Sequence, residues 1–323
     1  MLRFLAWRFL QSIIVLWAVY TITFGLLMLA PGDPFIGDKK PPDSVLRGLA
    51  KSYGLDYLAK TAQERKEMTV GQHAYYIAKA YFRYIKGALK GDFGPSIDYP
   101  NFSVSDIIRT SLPVSATLGA LALFLALWGG LLAGTLGAVR KGRPADFILS
   151  IATLLGVSLP TFVTGALLMM AFVVYIPLFP AAGWGSPSQI FLPALTLALF
   201  FLAYIARLAR SSTLDVLSAD FVRTARAKGL SGPRVVTRHV GANAALPILS
   251  YLGPAAANIL VGSFVVERLF AIPGLGTHFV NGCLNKDIPL VLGAVMVYTV
   301  IVVVFNLLVD LAYAAVDPRI SLR

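Results

Sequence analysis

Apolar and polar positions along this chain fall into long blocks. Six mostly apolar runs, at about 9–29, 113–139, 148–176, 191–207, 246–266 and 289–311, are separated by polar stretches. A helix crosses a hydrocarbon core of roughly 30 Å in about 20 residues, so each run predicts one membrane span, the fourth being the shortest. The period-two alternation of a membrane β-barrel is absent. The pattern therefore predicts an all-α membrane protein, residues 1–323 forming a single transmembrane domain. Span one covers 9–29, the core covers 113–311, and one sizeable polar segment, 30–112, lies between them.

Within that segment Pro41-Pro42 opens a stretch in which Ser44–Tyr57 and Glu64–Leu89 have helical periodicity. Tyr75, Tyr76, Ala80, Tyr81, Tyr84 and Ala88 share one face of the second helix. Such a face suits a small cap over the membrane surface or a contact with an external partner, and both roles are compatible. In span two, Gly130 and Gly134 form a small-xxx-small pair that lets helix backbones approach closely. Gly156, Pro160, Gly165 and Pro177 punctuate span three and predict bends there.

Composition agrees with the pattern. The chain is 57% hydrophobic and 14% charged, against about 25% charged in a soluble domain. The first apolar run is too long for a signal-peptide core, and Ala30-Pro31-Gly32-Asp33-Pro34 follows it in place of a cleavage site, so a retained helix is expected. Lysine and arginine set the orientation. With the N-terminus inside, the inner segments hold Arg140, Lys141 and Arg143, then Arg207, Arg210, Arg223, Arg226, Lys228, Arg234 and Arg238. The short outer loops hold only Arg268 and Lys286. This bias predicts six spans with both termini cytoplasmic and 30–112 as a helical extracytoplasmic insertion. The net charge of +12 reflects the same bias, so no nucleic-acid partner is implied.

Candidate chemistry is sparse. One cysteine, Cys283, excludes an internal disulfide, and His73, His239 and His278 lack metal-ligand spacing. The spans contain almost none of the buried acids that ion-coupled carriers use, nor the arginine repeats of voltage sensors. No serine–histidine–aspartate set, His-Glu-x-x-His or intramembrane acid pair points to catalysis. No Gly-x-x-x-x-Gly-Lys-Ser/Thr phosphate loop occurs either, so any ATP site lies on another polypeptide.

The most informative stretch is polar. Across 208–245, Leu214, Leu217, Phe221, Val222 and Ala225 recur at helical spacing against Asp215, Asp220, Arg223, Arg226 and Lys228. Gly229 suits the left-handed residue that closes a helix, and Pro233 suits the start of the next one. These features predict a short helix, a sharp turn and a helix running into span five. Such an element can transmit a push to the spans; a basic loop that merely obeys orientation rules has the same composition.

The segment Phe221–Leu230, FVRTARAKGL, resembles the EAA loop of permease subunits from binding-protein-dependent ABC importers. Arg223 and Thr224 stand at the Glu and first Ala positions, Ala225 and Gly229 match, and Leu246-Pro247 closes the pattern. The departures are similar to the peptide and nickel branch. So are APGDP at Ala30–Pro34, GDFGPSI at Gly91–Ile97, ERLFAIPGLG at Glu267–Gly276 and NLLVDLAYAAVDPRI at Asn306–Ile320. The long outer segment is like the "B" permease of the pair.

This resemblance implies a non-catalytic subunit of the bacterial cytoplasmic membrane that imports oligo- or dipeptides, or alternatively nickel or another small solute. It implies a second homologous permease, two cytoplasmic ATPases carrying ATP and Mg, an external binding protein, and no cofactor in this chain. Docking to the ATPase falls by the same resemblance to Phe221, Arg223, Thr224, Ala225, Arg226, Lys228 and Gly229. Small Ala225 and Gly229 would allow close approach to that partner. The outer segment, with Glu267, Phe270, Pro273, Gly274 and Gly276, is expected either to gate the entrance or touch the binding protein, or to serve as a connecting turn with Pro273-Gly274 at its bend.

Overall fold

A computed structural model describes residues 2–29, 67–99 and 101–316. Ser44–Tyr57 and the APGDP stretch lie outside these residues. Among the described residues the regular elements are helices: α1 Leu2–Leu29, α2 Val70–Ala88, α3 Val104–Val139, α4 Pro144–Ser158, α5 Thr161–Met169, α6 Pro187–Leu217, α7 Asp220–Ala227, α8 Gly232–Val235, α9 Gly241–Leu269, α10 Leu275–Asn285 and α11 Ile288–Val316. π-helical stretches at Met170–Tyr175 and Val236–Val240 extend α5 and link α8 to α9.

Among the described residues four helices are long and apolar enough to cross a membrane: α1 from Ala6, α3, α6 and α11. Counting each of two bent pairs as one span gives six. The expected third span is the main departure from a simple rod. It breaks at Leu159-Pro160 into α4 and α5, whose axes differ by 114°. Proline lacks the N–H that would continue the ladder, and its ring crowds the preceding turn. The fifth span bends by 41° between Leu260 and Ser263. The fourth runs ten residues beyond its expected end, through Arg210 to Leu217. The architecture is that of an all-α, multi-pass membrane protein.

The chain forms two compact units. The first contains 114–273 and the end of α11. Its core is a band of small and branched residues: Leu118, Ala122 and Ala126 recur every four positions along α3, and meet Ala194, Ala198 and Ile205 of α6 and Ile248, Ala255 and Ile259 of α9. A Cβ on Gly130 would stand 2.8 Å from the Ile205 side chain, and one on Gly134 would be 2.7 Å from Ala209 Cβ. The pair therefore seats α3 against α6, an ordinary packing role.

The second unit contains 6–113 and 274–300. A capping box starts α2: Gln72 N–H donates to Thr69 Oγ1 at 3.4 Å, and Thr69 N–H donates to Gln72 Oε1 at 3.0 Å. Only part of the expected aromatic face is used. Ala80, Tyr81 and Tyr84 pack on Tyr20 and Phe24 of α1, with Tyr20–Tyr81 centroids 4.9 Å apart, while Tyr75 is 64% exposed.

Candidate functional site

The connection from α6 to α9 carries the basic segment. The expected single amphipathic helix from Leu214 is two helices: α6 ends at Leu217, Ala219 is extended, and α7 begins at Asp220. Its end is closed by two hydrogen bonds, Gly229 N–H to Arg226 O at 2.9 Å and Leu230 N–H to Ala225 O at 3.3 Å. Gly229 adopts φ +80°, a conformation that a Cβ penalises. Pro233 stands in the first turn of α8, as its missing N–H favours.

Beneath this turn is a small apolar cluster. Val222 and Ala225 of α7 pack on Val235, Val240 and Ala244, with Val216, Leu217 and Leu230 around them. The seven sequence-predicted residues therefore divide. Phe221, Arg223, Thr224, Arg226, Lys228 and Gly229 are exposed, whereas Ala225 is buried within its own chain. Its small size serves α7's seat against the α8–α9 segment, which corrects the expectation that it approaches a partner. Phe221, placed by periodicity on the apolar face, is 47% exposed. Arg223 reaches Asp220 at 3.7 Å with both side chains largely in solvent, a pairing that holds neither firmly. The result is a rigidly seated helix with a basic outer face.

A second contact braces the helix leading into α7, and periodicity gave no hint of it. Arg210 near the end of α6 forms a two-pronged pair with Asp146 in the first turn of α4, Nε–Oδ1 2.7 Å and Nη2–Oδ2 2.9 Å. Gly142 N–H donates to the same carboxylate at 3.0 Å. Such fork-to-carboxylate geometry fixes orientation as well as distance. The only signal in sequence was an acid three residues after Arg140-Lys141-Gly142-Arg143.

The segment after α9 is built differently. Its turn falls at Phe270-Ala271, with Ala271 at φ +50°, and not at Pro273-Gly274. Glu267 and Phe270 are 0% and 1% exposed. Ser263 Oγ donates to Glu267 Oε1 at 2.8 Å, Ile272 N–H to Glu267 O at 2.8 Å, and Gly183 N–H to Phe270 O at 3.3 Å. Gly274 caps α10, Gly276 is buried in its first turn, and Pro273 is exposed. Of the five outer candidates, only Pro273 offers a side chain to a partner.

GDFGPSI has a structural explanation that the sequence concealed. Asp287, fully buried before α11, accepts hydrogen bonds from Ser96 Oγ, Ile97 N (2.9 Å), Asp98 N (3.0 Å) and Leu290 N (3.1 Å). Burial pushes its carboxyl above the usual range, while these four donors pull it down. Nearby, the His278 ring packs edge-on to Tyr99 at 5.1 Å. Its buried Nδ1 has no hydrogen-bond partner among the described residues, and burial lowers its pKa against the opposing pull of Asp98.

Comparison with known proteins places these features. Residues 126–322 match the family described as "Binding-protein-dependent transport system inner membrane component". The chain is 38% identical over 322 residues to the oligopeptide transport system permease protein OppB of Haemophilus influenzae, covering 99% of each. It is 38% identical over 323 residues to the dipeptide transport system permease protein DppB of Bacillus subtilis, covering 100% of this chain and 99% of the relative. The OppB of Escherichia coli K12 is 39% identical, again over 99% of each chain. Two solved structures share the fold at 18% identity and cover 65% of this chain. They are an amino acid ABC transporter with histidines (TM-score 0.51, 94% of that chain) and the inward-facing MetNI methionine ABC transporter (TM-score 0.53, 96%). The chain therefore belongs to the family of binding-protein-dependent transport system inner membrane components.

Proposed function

We propose that this chain is one of two homologous permease subunits of an ATP-driven importer in a bacterial cytoplasmic membrane. It carries oligo- or dipeptides delivered by an external binding protein. Peptide as cargo is supported by the names of the full-length relatives at 38–39% identity. ATP and Mg reside on two partner ATPases, and α7 is where their movement enters this chain.

The single observation that carries the coupling assignment is the division within α7. Val222 and Ala225 lock it to α8 and α9, while Phe221, Arg223, Thr224, Arg226 and Lys228 remain exposed. A helix fixed on one side and basic on the other transmits a load from an acidic groove to the spans it is joined to. Phe221 fills an apolar depression in the partner, Arg223, Arg226 and Lys228 pair with its acids, and Gly229 permits the turn. Thr224 Oγ1 donates to Asp220 O at 3.1 Å, so its hydroxyl is committed to α7 and only its methyl is offered.

Gly229→Val tests the assignment, since a β-branched residue at φ +80° costs about 1–2 kcal/mol locally. In proteoliposomes containing all partners, the variant is expected to insert normally and lose peptide-stimulated ATP hydrolysis and uptake. Uptake at the wild-type rate would overturn the assignment.

A further inference from the structure

Between α4, α5, α6 and α9 lies an open cleft of about 560 Å³, lined in part by Ser158, Pro160, Thr161, Phe200, Tyr251 and Asn258. It lies beside the middle of α6 and α9. At 1.5 Å per residue, Phe200 stands about 20 Å along an α6 some 46 Å long. Tyr251 and Asn258 flank the midpoint of α9.

The cleft coincides with the break in the third span. Pro160 has no N–H, and its carbonyl accepts from Val163 and Thr164 at 3.0 and 3.1 Å. Among the described residues no donor reaches the carbonyls of Gly156, Val157 or Ser158, and the N–H of Thr161 finds no acceptor. Pro160 and Ser158 are exposed. Interrupted backbone at membrane depth is tolerated only where it is buried in protein or borders a water-filled cavity. Carbonyls without a donor against hydrocarbon would each cost several kcal/mol, so in the assembled transporter this face meets water, a polar solute or protein.

The side chains narrow the solute. Tyr251 stacks on Tyr204 at 4.3 Å, Asn258 is exposed with its Nδ2 donating to Pro254 O at 2.8 Å, and Ser158, whose Oγ donates to Leu154 O at 2.8 Å, and Thr161 add hydroxyl oxygens. Among the described residues no lysine, arginine, aspartate or glutamate lines the cleft. Free backbone acceptors beside a free N–H match the alternating donors and acceptors of another main chain. An uncharged lining does not discriminate among side chains.

We infer that the cleft at the Leu159-Pro160 break is a main-chain-reading subsite for the translocated peptide. The inference rests on the peptide-permease reading and adds to it the residues that meet the cargo.

The test uses the complete transporter in proteoliposomes, with Cys283→Ser as parent. Ser158→Cys and Thr161→Cys are expected to react with a charged methanethiosulfonate. Saturating Ala-Ala-Ala with the binding protein should protect them, and modification should lower tripeptide uptake at least about tenfold. Unreactive thiols at both positions would overturn the inference, because lipid or the second permease then covers the cleft. Asn258→Asp provides a reading that misfolding does not imitate. A carboxylate here should raise uptake of Ala-Lys-Ala relative to Ala-Glu-Ala by about tenfold, and an unchanged ratio would contradict the subsite. Failure of the Cys283→Ser parent to import any peptide would overturn the cargo reading instead; the reactivity of the thiols introduced at 158 and 161 in that background still reports whether the cleft is aqueous.

Discussion

The turns before and after α9 both carry motif segments, and they distribute their side chains in opposite ways. Before α9, Phe221, Arg223, Thr224, Arg226 and Lys228 are exposed, and two small apolar residues hold the helix down. After α9, Glu267 and Phe270 are withdrawn almost completely into the chain's own core. Both segments contain the same ingredients in sequence: charge, an aromatic ring and glycine. The difference lies in which of them is needed inside. A short amphipathic helix with apolar residues three apart buries only one narrow face. The sharp turn at Phe270-Ala271 at the end of a long membrane helix must satisfy its carboxylate and fill its corner from within. The first segment thus presents its polar side chains outward, as the proposed attachment requires, and the second is an anchor.

The anchor predicts the largest loss of stability. Phe270→Ala removes a ring packed against Leu192, Ile248 and Val266's cluster, at a cost of about 3–5 kcal/mol. Thermal unfolding of the purified chain in detergent should show it, and an unshifted melting temperature would mean that the corner is not core. Ala225→Leu sharpens the comparison from the other side. Added methylenes beneath α7 should cost about 1–3 kcal/mol and unseat the helix, reducing both stability and ATPase-coupled uptake. Normal uptake with a bulky residue there would contradict the account of Ala225 as a seat.

Arg223→Glu is expected to change stability by no more than about 0.5 kcal/mol, as for exposed positions generally. Its binding of the ATPase subunit should weaken, with Arg223→Lys retaining most of it. Equal binding by all three side chains would remove the electrostatic part of the docking model. The smallest effect concerns pH. His278 is held neutral by burial, so its folded pKa lies below that of the free imidazole, about 6.5. The unfolded chain then binds the proton more readily, and stability falls as pH drops below that value toward the folded pKa. His278→Gln should flatten this part of the melting-temperature profile between pH 7 and 5, and an identical slope in both proteins would place the titration elsewhere.

Much of this division was hidden in the sequence for identifiable reasons. Apolar run length located the spans because a bilayer imposes length directly. Gly229 and Pro233 were legible because backbone geometry restricts those positions to few residue types. Periodicity put Phe221 with Val222 and Ala225 because it registers apolar character without knowing which side a partner will cover. Asp146 and Asp287 were invisible for another reason. Their partners, Arg210 and the 96–98 loop, lie 64 and about 190 residues away in sequence. Pro160 announced a bend, but its 114° magnitude and the cleft beside it depend on how α6 and α9 pack around the break.

The central claim is that ATP-driven force enters through the outward face of α7. It is tested most directly by incorporating p-benzoyl-phenylalanine at Phe221, and separately at the buried Val235 beneath it, in the assembled transporter. On illumination, the probe at position 221 should cross-link to the ATPase subunit and that at 235 should yield only intrachain product. Absence of the ATPase cross-link from position 221 in a complex that still imports peptide would contradict the claim.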